Sequence, residues 1–209
     1  MNRMVRFVAR GAAGVWALAL LVTSCGDGTS PAVVRPTSDL HFIQRAPDAP
    51  EFADTTVTFW VKNNVDNEIR VRFAPLAGST QNEDYVRFRV RAGSLARYPD
   101  GRPFGPTDSV LITLRVVDFA HMIVDFQPSG LRFSTARPAR LTFEYNHANH
   151  DFDGDGDIDA DDARDETLLS VWRQEAGDQP WLKVPSALSV DLDEVEADIT
   201  GFTGYALAY

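Results

Sequence analysis

From Thr55 to the carboxyl end, apolar and polar residues alternate in short runs with a period of two, the signature of strands half in and half out of a core. Val57, Phe59 and Val61 share one face, and Ile69, Val71 and Phe73 share another. Between them Asn63-Asn64-Val65-Asp66-Asn67 reads as a turn, so the pair predicts a hairpin. Val86, Phe88 and Val90 repeat the pattern, with Arg87, Arg89 and Arg91 on the wet side. Further strands are expected at Val110 to Val116, Met122 to Phe126, Leu131 with Phe133, and Leu141 to Tyr145. Beyond an acidic interruption come Leu169 with Val171, Trp181 to Val184, Val195 to Ile199, and Tyr205 to Tyr209. No window sustains apolar spacing of three and four, which predicts no substantial helix outside the leader. Short strands separated by Gly and Pro turns predict an all-β fold, an antiparallel β-sandwich.

The amino terminus has a different pattern. Arg3, Arg6 and Arg10 precede an apolar run, Ala12 to Val22, that is short for a bilayer span and reads as a signal peptide. The run ends Val22-Thr23-Ser24-Cys25, which resembles the lipobox of bacterial lipoproteins. That resemblance implies a signal peptide over 1–24, lipid on Cys25 and anchorage in a membrane of the cell envelope. Gly26 after the cysteine implies the outer membrane, on its periplasmic or surface face. Cys25 is the sole cysteine, so no intrachain disulfide and no thiolate metal cluster can form. The Gly-, Ser-, Thr- and Pro-rich stretch that follows reads as a flexible tether, giving the expected division 25–50 tether and 51–209 domain.

Charge narrows the partners. The chain has 20 basic and 30 acidic residues, a net charge of −10, and loss of the three leader arginines takes it to −13. This argues against nucleic-acid binding, which needs clustered Lys and Arg. Neither a phosphate-cradling loop nor a dinucleotide fingerprint is present.

The candidate chemistry lies in Asp151-Phe-Asp-Gly-Asp-Gly-Asp-Ile-Asp-Ala-Asp-Asp162. Ca²⁺ loops of the EF-hand type place oxygens at positions 1, 3, 5, 7, 9 and 12, with Gly at 6 for a sharp turn. Asp151, Asp153 and Asp155 take the first three positions, and Gly156 is the turn residue. Asp157 would lend its carbonyl, Asp159 would act directly or through water, and Asp162 closes the loop in place of the usual Glu. Ile158 is expected to pin the loop through an apolar contact. A solvated acidic turn is the competing reading. The wording of the loop resembles the calcium loops of dockerins, which carry two loops, each followed by a helix. This chain has one, and Thr167 to Gln174 favours a strand, so the loop reads as a single calcium clip inserted in another fold.

A second resemblance covers Arg91 to Tyr209. Arg91-Ala-Gly-Ser-Leu95, Phe126-Gln-Pro-Ser-Gly-Leu-Arg-Phe133, Pro138-Ala-Arg-Leu-Thr-Phe-Glu-Tyr145, Trp181-Leu-Lys-Val184 and Ile199 to Leu207 follow in order. They are similar to motifs of the ZU-type β-sandwich of ankyrins and netrin receptors. Some members cleave themselves at His-Phe-Ser. Here Gly201-Phe202-Thr203 stands at that place, without the histidine or the serine.

No catalytic constellation emerges. His147 and His150 could bind a transition metal with nearby aspartates, but the surrounding oxygens are hard ligands. Ser94, Ser129 and Ser186 lack a nucleophile elbow. The expectation is a non-enzymatic envelope protein, a calcium-binding structural or adhesion module with a protein or glycan partner. The alternatives are an accessory or degenerate hydrolase acting on an extracellular polymer, and a self-processing module. Exposure of Trp172 and Trp181 beside the loop would favour the hydrolase.

Overall fold

A computed structural model describes residues 32–209. The expected signal peptide and Cys25 lie outside the described residues. Among the described residues fourteen strands form, and their order places nearly all of them in two antiparallel sheets. The strands are β1 (Val34–Arg35), β2 (Thr56–Lys62), β3 (Asn67–Arg72), β4 (Asp84–Val90), β5 (Leu95–Arg97), β6 (Ser109–Asp118) and β7 (Ile123–Gln127). They continue with β8 (Arg132–Phe133), β9 (Ala139–Glu144), β10 (Ser170–Gln174), β11 (Trp181–Lys183), β12 (Ser186–Ser189), β13 (Glu194–Ile199) and β14 (Gly204–Ala208). One short helix, α1 (Ala160–Glu166), lies between β9 and β10. The larger sheet runs β1-β11-β10-β14-β7-β6-β2, the smaller β12-β13-β9-β4-β3, and β5 and β8 pair as a ribbon. The fold is thus the all-β sandwich expected. Among the described residues no helix is long and apolar enough to cross a membrane.

Alternation explains the layers. On β6, Val110, Ile112, Leu114 and Val116 are buried while Leu111, Arg115 and Val117 face water. The inward faces of the sheets meet in a core rich in aromatic rings. Phe88, Phe126, Phe133 and Phe202 interlock with centroids 4.9–6.0 Å apart, and a second group joins Phe52, Phe73, Tyr85 and Phe143. Such offset and edge-on contacts are the favourable geometries for aromatic quadrupoles. Gly93 and Gly130 sit at φ +76° and +83°, a conformation that only glycine adopts without strain.

Two expectations are corrected. β2 and β3 do not form a hairpin: β2 pairs with β6 and β3 with β4, so Asn63–Asn67 carries the chain from one sheet to the other. The asparagines account for it. Asn63 is buried, donates to Gly105 O at 3.1 Å and accepts Leu95 N at 3.1 Å, which fixes the crossing inside the sandwich. Asn67 donates to Lys62 O and Val65 O at 2.9 and 2.7 Å. Those side chains satisfy main-chain groups that a hairpin would have paired.

The tether expected over 25–50 ends earlier than Pro50. Val34 and Arg35 pair with Leu182 and Trp181, and Leu40 and Ile43 are buried. His41 and Tyr209 exchange main-chain bonds of 3.2 and 3.1 Å, and Phe42 packs edge-on to Trp181 at 5.1 Å. This segment covers the outer face of the larger sheet, where Trp172, Trp181, Ala206 and Ala208 form a second, smaller apolar cluster. The polar composition conceals three apolar residues, Leu40, Phe42 and Ile43, that suffice to dock it.

Candidate metal centre

The acidic loop joins β9 to β10 and is shaped by its own carboxylates. Asp151 accepts Gly154 N at 2.8 Å and Gly156 N at 3.1 Å, one on each oxygen. Asp153 accepts Asp155 N, and Asp155 accepts Asp157 N, both at 3.1 Å. Each is the short aspartate-to-backbone bond that closes a turn two residues on. Gly154 and Gly156 adopt φ +76° and +101°, which any Cβ would strain.

Asp162 is the hub. Its Oδ1 accepts Phe152 N at 2.6 Å and Asp153 N at 3.1 Å, while Oδ2 accepts Asp159 N at 2.8 Å. The residue is 2% exposed. Those main-chain donors, Asp159 N foremost, outweigh desolvation and hold its carboxyl below the usual carboxylate range. Asp159 caps α1, accepting Asp161 N at 2.7 Å, and with Asp162 completes a capping box. Acidic residues in the first turn suit the positive end of a helix. Thr167 donates to Arg164 O at 2.6 Å and ends α1, after which the apolar run enters β10.

Carboxylate oxygens of Asp151, Asp153 and Asp155 can lie within 4.8 Å of one another, and so can those of Asp157, Asp159 and Asp162. The structure therefore gathers the six aspartates as two groups of three, each able to hold a metal ion. Proximity has an electrostatic signature. Asp157 is raised, first by Asp155 and then by Asp159. Asp153 is also raised: a hydrogen bond from Asp155 N favours its ionised form, but desolvation and the charges of Asp155, Asp162 and Asp151 prevail. The donor set is all oxygen, which fits a hard divalent cation, and neither group includes a histidine. His147 instead lies against Glu83, Nε2 to Oε2 2.7 Å, and edge-on to Phe73.

The attachment of the loop differs from expectation. Ile158 is 70% exposed and pins nothing. Phe152, the second loop residue, is buried and holds the loop instead, edge-on to His150 at 5.7 Å and Tyr209 at 5.9 Å. Tyr209 Oη donates to Phe152 O, and His41 stacks on the Tyr209 ring at 5.3 Å. Burial first, then the carboxylates of Asp165, Asp153, Asp162 and Asp151, push the Tyr209 phenol up to about 12. On the exit side Tyr145 donates to Glu166 Oε1 at 2.9 Å. Sequence reasoning missed Phe152 and Tyr209. The signal was an aromatic residue among aspartates, where solvation would have no use for it.

The other singled-out residues are structural. Ser186 donates to Val184 O and accepts Val171 N, at 2.7 and 3.0 Å. Thr203 is buried and its hydroxyl donates to Gln174 O, with Gly204 O also within 3.0 Å. Trp172 and Trp181 are each 2% exposed, so the condition favouring a hydrolase is not met; Trp60 alone of the described tryptophans is exposed, at 61%.

No protein-family model matches the chain, and neither a curated protein nor a solved structure matches it.

Proposed function

We propose that the chain is a non-enzymatic lipoprotein of the cell envelope, a ZU-like β-sandwich that binds one Ca²⁺ in the loop 151–162 and serves as a structural or adhesion module. The observation that carries the metal reading is the form of the loop. Its turns are set by aspartate-to-backbone bonds, its two positive-φ positions are glycines, and its closing carboxylate is held by three main-chain donors. Such a loop need not be ordered from a random state on binding, which lowers the cost of gathering the ligands.

By their spacing in the loop Asp151, Asp153, Asp155, Asp157, Asp159 and Asp162 would hold a single ion, which would draw the two groups of three together. The ion would relieve the mutual repulsion that raises Asp153 and Asp157. Extracellular Ca²⁺ modules bind with dissociation constants of about 10⁻⁴ to 10⁻³ M. At concentrations well above that value, linkage adds about 1–3 kcal/mol to stability. The cell-envelope assignment rests on the lipobox-like Val22-Thr23-Ser24-Cys25, and the ZU likeness on the ordered motifs from Arg91 to Tyr209. The partner is a protein or a glycan.

Isothermal titration should reveal one Ca²⁺ site, lost in Asp151→Ala and in Asp155→Ala. Undiminished binding in both variants refutes the site. Cys25→Ser should move the protein from the membrane to the soluble fraction; unchanged fractionation refutes the anchor.

A further inference from the structure

The larger sheet ends in a long, regular edge strand that is unpaired on one side among the described residues. β2 is the terminal strand of that sheet, and β6 is its one neighbour. Asn63 N bonds Asp108 O and Val116 N bonds Thr55 O, both at 2.9 Å. In the register Val57↔Leu114, Phe59↔Ile112, Val61↔Val110, these bonds fix which main-chain groups face β6. The odd-numbered residues from Thr55 to Asn63 turn theirs toward β6. Thr56, Thr58, Trp60 and Lys62 turn theirs outward.

At Lys62 the outward groups are already taken: Asn67 Oδ1 accepts Lys62 N at 3.3 Å and its Nδ2 donates to Lys62 O at 2.9 Å. The outward N–H and C=O groups of Thr56, Thr58 and Trp60 have no partner among the described residues. Exposed edge strands invite pairing unless they are short, bulged, charged inward or covered. The other edges use these devices. β3 carries exposed Glu68, Arg70 and Arg72, shifts register at Val71/Arg72, and at its end bonds residues 51–53 through Ala53 N to Arg72 O at 2.9 Å and Ala74 N to Glu51 O at 2.7 Å. β1 has two residues, and β12 has four and follows Pro185. β2 has seven residues, no proline and no bulge.

Side chains identify the occupant. The inward Val57 and Phe59 are incompletely buried, and on the outer face Trp60 is 61% exposed beside its cross-strand neighbour Leu111 at 43%. We propose that two copies join β2 to β2 antiparallel, about a two-fold axis at Thr58, to make one continuous sheet. Thr58 then faces Thr58 of the second copy, and Thr56 faces Trp60. Val57 meets Phe59 across the joint, and each incompletely buried side chain gains an apolar neighbour. The neighbouring registers fail. An axis at Phe59 sets Thr56 opposite Lys62, and an axis at Trp60 sets Thr58 there, so in both an outward group meets a main chain that Asn67 already holds, whereas the axis at Thr58 pairs the three free residues among themselves. Such an interface is isologous and closes at the dimer.

Sedimentation of the full chain carrying Cys25→Ser, which removes its one thiol, tests the proposal. A concentration-dependent dimer is expected. Thr58→Pro deletes an outward N–H without touching the β6 ladder and should weaken dimerisation by at least about tenfold with an unchanged far-UV spectrum. Facing Cα atoms in such a pair lie about 5.5 Å apart, within disulfide reach, so Thr58→Cys should cross-link on oxidation and Lys62→Cys should not. A chain that stays monomeric, including one that instead captures a foreign strand, overturns the proposal. So does a dimer indifferent to Thr58→Pro, or cross-linking through position 62 but not 58. Should Thr58→Pro fail to fold, the cysteine pair decides by itself.

Discussion

Asp162 and Asp155 are both aspartates of one loop, yet the backbone uses them differently. Asp162 accepts three main-chain donors from the loop itself, whereas Asp155 accepts one and stands exposed. Asp155→Ala should therefore weaken Ca²⁺ binding by at least about tenfold while leaving stability in chelator within about 0.5 kcal/mol of the parent. Asp162→Asn should lower both, because an amide cannot accept at two oxygens. Titration and urea denaturation, with and without chelator, separate the two roles. Asp162 also adds an acid limit. Its folded-state affinity for protons lies below its unfolded value, so its contribution is complete above pH 3.8 and is lost as pH falls further.

Glu144 works in the opposite sense. It lies on the outer face of the smaller sheet, 3.2 Å from Arg87, which also contacts Glu194. Burial chiefly raises its carboxyl to about 7; Arg87 opposes the shift and Asp84 and Glu194 add to it. The folded state holds a proton that the unfolded chain releases near 4.5, so this group costs stability as pH rises from about 4.5 to 7. Glu144→Gln should remove about 2 kcal/mol of that decline. Urea midpoints at pH 5 and pH 8 give the measurement, and an equal decline in parent and variant would contradict the assignment.

At the level of elements, the acidic connection is held at Phe152 rather than at its apolar eighth position. Phe152→Ala removes a buried ring between His150 and Tyr209 and should cost about 3 kcal/mol, with faster proteolysis within residues 151–159. Ile158→Ala removes an exposed side chain and should change stability by less than about 0.5 kcal/mol. Thermal melts of the two variants in chelator distinguish the anchors. Here the reach of sequence is clear. The spacing of Asp and Gly shows the turns because each is a local event. Which apolar residue of the loop faces the body depends on β14 arriving with Tyr209, a contact 57 positions away in the chain. The helix α1 is invisible to apolar periodicity for a similar reason: it is held by its cap, Asp159 with Asp162, and has no apolar stripe.

The strands themselves were legible, because alternation in β2, β4, β6, β7, β9 and β13 follows directly from one wet and one dry face. Their partners were less so. Asn63 to Asn67 has the composition of a hairpin turn, but Asn63 is buried where the chain changes sheets, and no local rule distinguishes the two uses.

For the molecule as a whole, the segment before Phe52 is structural. A chain beginning at Ala32 should unfold cooperatively, whereas one beginning at Glu51 loses Leu40, Phe42 and Ile43 and uncovers Trp172 and Trp181. Burial of that order is worth several kcal/mol, about 1.5–3 for each large side chain, a large part of the stability of a domain of this size. A melting temperature in the shorter chain within about 2 °C of the longer would show the segment to be dispensable. Position along the chain and polar composition concealed this, since three scattered apolar residues do not make a periodic signal.

That segment has a mechanical consequence. Tension applied from the amino-terminal side would reach β1 first, where two residue pairs can be unzipped one after another. The next resistance is the paired main chains of His41 and Tyr209, and then Phe42 against Trp181. Gln44 O, a few residues further, holds Asn149 N at 2.7 Å, at the very base of the acidic loop. A pull strong enough to strip this segment would therefore arrive at the base of the aspartate loop, and a cation seated there would stiffen one of the fastenings that resist it.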